Sequence, residues 1–224
     1  MKGENMEQTE TEQKEQRKSR NKQSFYRTYM ITLIGVLSAA AAGLMLLEFP
    51  LLFIAPEFYK FDFSDLPAII GSFALGPVAG VSIEALKNLL KILFVGSKTN
   101  YIGELANFGV GVCYVLPASL LYYYRKTKKR AVAGLALSTV ICVTVGSLLN
   151  AFVLLPAYSK LYGAPMEYFI GKGTEVHGII KDLQTFILFA VAPFNLLKYG
   201  VISLITILIY KRISRVLKNP LEKV

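Results

Sequence analysis

The sequence has no tryptophan, one histidine and two cysteines in 224 residues. With His177 alone, a histidine cluster for metal binding or proton transfer is excluded. Cys113 and Cys142 do not form the disulfide framework of a small secreted domain, and they read as small apolar residues within apolar helices. Charge is also scarce, at 18% of residues, where soluble domains carry roughly 25%. Acids are the rarer sign: Asp and Glu total 15 against 25 Lys and Arg, a net charge of +10. No H-E-x-x-H and no G-x-S-x-G occurs, and Gly171-Lys172-Gly173-Thr174 breaks the G-K-[ST] core of a phosphate loop. The chain therefore offers no visible means of hydrolysing ATP. No catalytic residue, no metal and no cofactor of its own is expected. Nor is there an internal repeat of the kind that builds two-repeat secondary transporters.

What is present is apolar. Hydrophobic residues make up 54% of the chain, and the mean hydropathy is +0.46. A disordered chain or a collagen is excluded. A basic chain suits either nucleic acid or a membrane, and the placement of the charge decides between them. Much of the basic excess falls in three clusters: Lys14 to Arg27, Arg125 to Arg130, and Lys211 to Lys223. Between them lie long apolar stretches rather than a folded basic face, so no nucleic-acid partner is expected.

Six stretches read as membrane spans of about 20 residues. They cover about 30–47, 66–79, 78–95, 105–124, 131–155 and 183–210. The second and third are the weakest, being divided by Gly76-Pro77. If all three basic clusters are cytoplasmic, an even number of spans must separate them. Four and then two satisfy that parity, and dropping either weak span breaks it. The expected fold is an all-α membrane protein of six transmembrane helices with cytoplasmic N- and C-termini. A disordered polar tail is expected at 1–24, the transmembrane domain at 25–212 and a basic tail at 213–224. The outer connections become 48–64, 96–104 and 156–182.

Polar residues at depth carry the functional signal, because each is costly in lipid. Asn195 and Lys198 share one helix face, and Lys198 falls near the bilayer midplane. Lys198 either pairs with a carboxylate on another helix or contacts a ligand in an outward-facing pocket. Asn150, Glu104 and Asn107 sit in the outer halves of their spans. Three helices thus bring carboxamides to one level, and a carboxamide can pair with a cyclic imide or amide edge. Asparagine also serves as interhelical glue. Aromatic residues crowd the outer connections, as a membrane belt or as walls for a flat ring. Glu84, Lys87 and Lys91 form one stripe that reads as an internal ion pair. Ser64 or Asp65 is expected to cap the helix that follows. Gly35, Ala39 and Gly43 make a smooth ridge that packs either within the chain or against a separate subunit.

Six motifs together resemble the riboflavin-binding S components of energy-coupling factor (ECF) transporters. They are Leu47-Glu48-Phe49-Pro50, Asp62-Phe63-Ser64-Asp65-Leu66-Pro67, the stretch from Gly71 to Pro77, the stretch from Glu84 to Leu90, the stretch from Asn150 to Pro156, and Ala192-Pro193-Phe194-Asn195-Leu196-Leu197-Lys198. The resemblance spans about residues 30–212. It implies a multi-pass plasma-membrane subunit, not an enzyme, that captures riboflavin from outside. It also implies partners: one transmembrane coupling subunit and two cytosolic subunits that bind and use ATP. By resemblance, Asn150, Asn195 and Lys198 hold the flavin and the connection near Glu48 is the lid. Glu48, Phe49, Asn107, Asn150, Phe194, Asn195 and Lys198 are the expected substrate site. Gly35, Ala39 and Gly43 are the expected docking ridge, with Gly35 and Ala39 standing where the family carries an alanine-x3-alanine pair. Flavin mononucleotide (FMN) or another planar vitamin is the alternative ligand. A small membrane enzyme acting on lipid is the alternative class.

Overall fold

A computed structural model of the chain describes the backbone of residues 2–217 and the side chains of residues 13–210. The described structure is helical except for one small hairpin. Helix α1 runs Lys2–Leu46, and strands β1 (Phe49–Pro50) and β2 (Lys60–Phe61) pair antiparallel in the connection that follows. Helices α2 (Asp65–Leu75), α3 (Pro77–Val95) and α4 (Ile102–Tyr124) come next. Helix α5 (Lys128–Leu149) passes through a π turn at Asn150–Leu154 into α6 (Leu155–Tyr162). After α7 (Met166–Val176), the short α8 (Leu183–Phe186) enters a second π turn at Ile187–Val191 and continues as α9 (Ala192–Leu217).

Among the described residues, four helical stretches are long and apolar enough to cross a membrane: Gln13–Leu46, Ile102–Tyr124, Lys128–Tyr162 and Leu183–Tyr210. Helix α2 has 11 residues, about 16 Å at 1.5 Å per residue. Helix α3 has 19 residues but carries Glu84, Lys87 and Lys91. These are the two segments that the sequence marks as weak. They part at Gly76, whose φ of +105° suits glycine, and Pro77 opens α3 where its missing N–H costs nothing.

Two segments differ from expectation. The stretch 2–24, read from its composition as disordered, is the first half of α1, and its described side chains through Phe25 are all exposed. Glu, Gln, Lys and Arg dominate it, and the residues that keep a chain from collapsing are also good helix formers. The connection expected at 156–182 is largely helix, because α6 continues the apolar helix begun by α5 to Tyr162 and α7 follows. The basic tail expected at 213–224 is described only as helix backbone, as far as Leu217.

Both π turns have the same local cause. A proline inside a helix gives no N–H and pushes its ring against the carbonyl four residues before it. Pro156 and Pro193 each stand two residues after a π turn. The residues just before them, Leu155 and Ala192, donate to the carbonyls of Asn150 and Ile187. Widening the turn by one residue relieves the proline clash, and such bulges recur at functional sites.

Two apolar cores result. One fills the bundle with Ile69, Ile83, Tyr114, Val115, Leu135 and Ile202. The other gathers Phe61, Leu155, Phe169, Ile180, Phe186 and Phe194 beneath the hairpin. In the first, α4 and α5 touch through backbone. A Cβ on Gly134 would lie 2.9 Å from the Ala118 carbonyl oxygen and 3.0 Å from its Cα. Gly109 on α4 has open space instead. Gly134→Val is therefore expected to lower the thermal midpoint in detergent, by about 1–3 kcal/mol of overpacking. Gly109→Ala should leave the midpoint unchanged or raise it.

Candidate ligand-binding site

Helix direction places the site at one end of the bundle. The end of α1, the ends of the hairpin, the α3–α4 connection, α6 and the start of α9 surround one cavity of about 400 Å³. The Arg125–Arg130 turn lies between the far ends of α4 and α5, remote from it. This volume falls in the range of small-molecule sites, roughly 300–1,000 Å³.

The floor is built from carboxamides. Asn150, in the first π turn, donates from Nδ2 to the Gly146 carbonyl at 2.8 Å. Asn195 donates from Nδ2 to the Val191 carbonyl at 3.0 Å, at the end of the second π turn. Gly146 lets the two approach, since a Cβ there would lie 3.0 Å from Asn195 Nδ2. Asn107 adds a third carboxamide, and its Oδ1 is buried with no hydrogen-bond partner among the described residues. An acceptor left open toward a cavity is what a ligand N–H or O–H requires. Phe194, Tyr158 and Tyr199 supply ring surface in the same wall.

Beneath the floor lies a buried charge network. Lys198 Nζ donates to Asp62 Oδ2 at 2.9 Å and stands 3.4 Å from Asp65 Oδ2. Lys87 pairs with Asp65 and lies 2.7 Å from Glu84 Oε2. Ser64 Oγ accepts from Lys87 at 3.1 Å. Both readings of Lys198 therefore meet in one side chain, which is ion-paired to acids at the start of α2 and also lines the cavity. Glu84 and Lys87 form the expected internal pair. Lys91 leaves that pair and stands in the cavity wall, 4.0 Å from both Glu48 and Glu104.

The helix cap expected from Ser64 or Asp65 is not made by either side chain. The lysines draw both inward. Asp62 Oδ1 accepts from the Ser64 N–H at 2.8 Å instead.

Of the residues singled out in the sequence, Glu48, Asn107, Asn150, Phe194, Asn195 and Lys198 line this one cavity. Phe49 does not. It is 43% exposed and stacks on Phe61 across the hairpin, with ring centroids 5.4 Å apart. Phe49 opens β1 and pairs with Phe61, which holds its ring on the hairpin rather than in the cavity. Lys60, Lys98, Gly146 and Tyr199 are among the cavity residues that carried no signal in the sequence, whereas Tyr59 belongs to the aromatic cluster of the outer connections. Asp62 carried a sequence signal of its own, a carboxylate three residues before the start of an apolar helix. Gly35, Ala39 and Gly43 are exposed, and a Cβ on Gly35 or Gly43 would meet nothing within 4 Å, so the ridge is not part of the chain's own core. Among the described residues, no group of three His, Cys, Asp or Glu side chains is placed to hold a metal ion.

A polar-floored cavity at one end of an apolar helical bundle defines a membrane protein that binds a small molecule. Residues 29–210 match the family described as the ECF transporter, substrate-specific component, and the chain belongs to that family. It is 34% identical over 200 residues to riboflavin transporter RibU of Staphylococcus aureus (strain TCH60), covering 89% of this chain and 98% of that protein. It is 33% identical over 187 residues to riboflavin transporter FmnP of Bacillus subtilis (strain 168), covering 82% and 91%. A solved S component of a bacterial ECF transporter superposes with a TM-score of 0.67 at 34% identity, covering 86% of this chain and 99% of that one. The chain is thus an all-α membrane protein of the S-component fold.

The buried network makes a direct prediction. Lys198→Met removes the cation from Asp62 and one of two from Asp65. Breaking a buried pair from one side costs about 3–5 kcal/mol, so the thermal midpoint in detergent should fall sharply. Adding Asp62→Asn should recover part of the loss.

Proposed function

We propose that this protein captures riboflavin in the cavity between α1, the hairpin, α4, α6 and α9, and serves its uptake as an S component. The observation that carries the reading is the meeting of the Asn150 and Asn195 carboxamides around Gly146, on the floor of a cavity with aromatic walls. Riboflavin offers matching chemistry: a flat tricycle for rings, an imide edge for carboxamides, and a polyhydroxy chain. Glu48, Asn107 and Lys198 are assigned to the ligand as well, with Phe194 beneath the ring. Phe49 stays on the outer face of the lid.

In this reading the chain crosses the membrane six times. Helices α2 and α3 complete the set, the cavity opens outward, and both termini lie in the cytoplasm with the 125–130 turn. The polar segment 1–24 and the basic tail 213–224 are cytoplasmic extensions of the domain at 25–212. Transport energy comes from partners: a transmembrane coupling subunit docks on Gly35, Ala39 and Gly43, and two cytosolic subunits use ATP. The exposed, unobstructed ridge supports that docking. The protein is not an enzyme in this reading, and its relatives are named transporters.

A second ligand is favoured by one observation. Lys60 and Lys98 line the cavity and form no ion pair among the described residues. Two unpaired ammonium groups suit the phosphate of FMN. Riboflavin should quench its fluorescence on the purified protein near one-to-one, and FMN should compete. No binding of either flavin overturns the proposal. Asn195→Ala is expected to weaken riboflavin about tenfold or more, the loss of hydrogen bonds in a buried site, with the thermal midpoint kept. Gly35→Leu combined with Ala39→Leu should abolish uptake into cells and leave binding to the purified protein unchanged. Equal loss of both would return the ridge to a structural role.

A further inference from the structure

We infer that Tyr59 is a positioning residue of the binding site: its hydroxyl holds the Asn150 carboxamide in one orientation and latches the hairpin to the cavity floor. The inference rests on the reading of this cavity as the ligand site.

The argument begins with Asn150. The Gly146 carbonyl can only accept, so the nitrogen of the Asn150 side chain must face it, as the 2.8 Å bond requires. That places Oδ1 on the opposite side, 2.6 Å from the Tyr59 hydroxyl. Oδ1 can only accept, so Tyr59 must donate. Burial, with Tyr158 adding to it, pushes the Tyr59 hydroxyl well above its ordinary pKa and keeps it a donor. Each end of the carboxamide then has one bond inside the protein and one left over. A single N–H and a single lone pair remain, in a fixed order. Against an imide edge, which reads acceptor–donor–acceptor, that order decides which of the two imide carbonyls faces Nδ2.

The same bond joins elements far apart in the chain. Tyr59 sits just before β2, and Asn150 is 91 residues later. The Tyr59 ring is packed against Phe58, Phe186 and Phe194, with centroids 4.9, 6.2 and 5.5 Å away. The ring therefore anchors the hairpin by contact, and the hydroxyl reports on Asn150. A hairpin that opened would take the hydroxyl with it and free the carboxamide to rotate. Closing the lid and setting the order of donor and acceptor are one event.

Tyr59→Phe separates the two contributions, because it keeps the packed ring and removes only the hydroxyl. Riboflavin affinity should fall about tenfold, with the change in the dissociation rate rather than the association rate. In the Asn150→Ala background the same substitution should change affinity less than twofold, since Tyr59 acts through Asn150. Amide hydrogen exchange of the ligand-free protein supplies a readout independent of any flavin. Exchange in residues 49–61 should rise at least fivefold in Tyr59→Phe and in Asn150→Ala, and no further in the double variant. Equal weakening in both backgrounds, tighter binding of riboflavin by Tyr59→Phe, or an unchanged hairpin exchange rate would each overturn the inference. If the wild-type protein binds no flavin, the ligand reading fails, and the exchange measurement alone decides whether the latch exists.

Discussion

Asp65 stands between two lysines from different helices, and the cavity depends on that arrangement. Lys87 reaches it from α3 and Lys198 from α9, while Asp62 takes the other side of Lys198. Each charge alone would be costly in so apolar an interior. Together they tie the start of α2 to α3 and α9. The hairpin ends at Phe61, one residue before Asp62, so the network also anchors the end of the hairpin. The floor of the cavity is the upper surface of this cluster, and Lys198 belongs to both.

A polar floor in an apolar bundle needs glycine as much as it needs charge. Gly111 leaves the space that the Glu84 carboxylate fills. Gly146 does the same for the Asn195 carboxamide. Small residues in membrane helices are commonly explained by helix–helix approach, and Gly134 against Ala118 is such a case. At Gly111 and Gly146 the approaching group is a polar side chain, of the buried charge network in one case and of the cavity floor in the other.

Much of this was legible in the sequence, and the reasons for the rest are physical. Apolar runs and basic clusters are strong local signals, so the helices fell close to where hydropathy placed them. Asn150, Asn195 and Lys198 stood out because polar groups are rare at depth, and all three line the cavity. The partner of Lys198 did not stand out. Asp62 lies 136 residues away from it, and no periodicity reports a contact of that separation. Ser64 and Asp65 looked like a helix cap because local spacing cannot register a lysine arriving from another helix. Phe49 and Glu48 share one motif, but a short motif cannot register the pairing with Phe61 that holds the Phe49 ring on the hairpin. The Glu- and Lys-rich start of α1 has a composition shared by disordered tails and by exposed helices, so composition alone could not separate them.

The π turn at Asn150–Leu154 has a consequence for phase. Gly146, Asn150, Leu154, Tyr158 and Tyr162 all line the cavity, at a uniform spacing of four residues. In a regular α-helix each step of four overshoots a full turn by about 40°. Five such residues would spiral through about 160°, and the last of them would point away from the first. One extra residue in the turn sets the phase back by about 100°. Pro156 thus does more than bend a helix: it acts as a gear tooth that keeps one stripe facing the cavity along its depth. Tyr162, at the far end of that stripe, can then donate to the Lys98 carbonyl at 3.2 Å and close the rim.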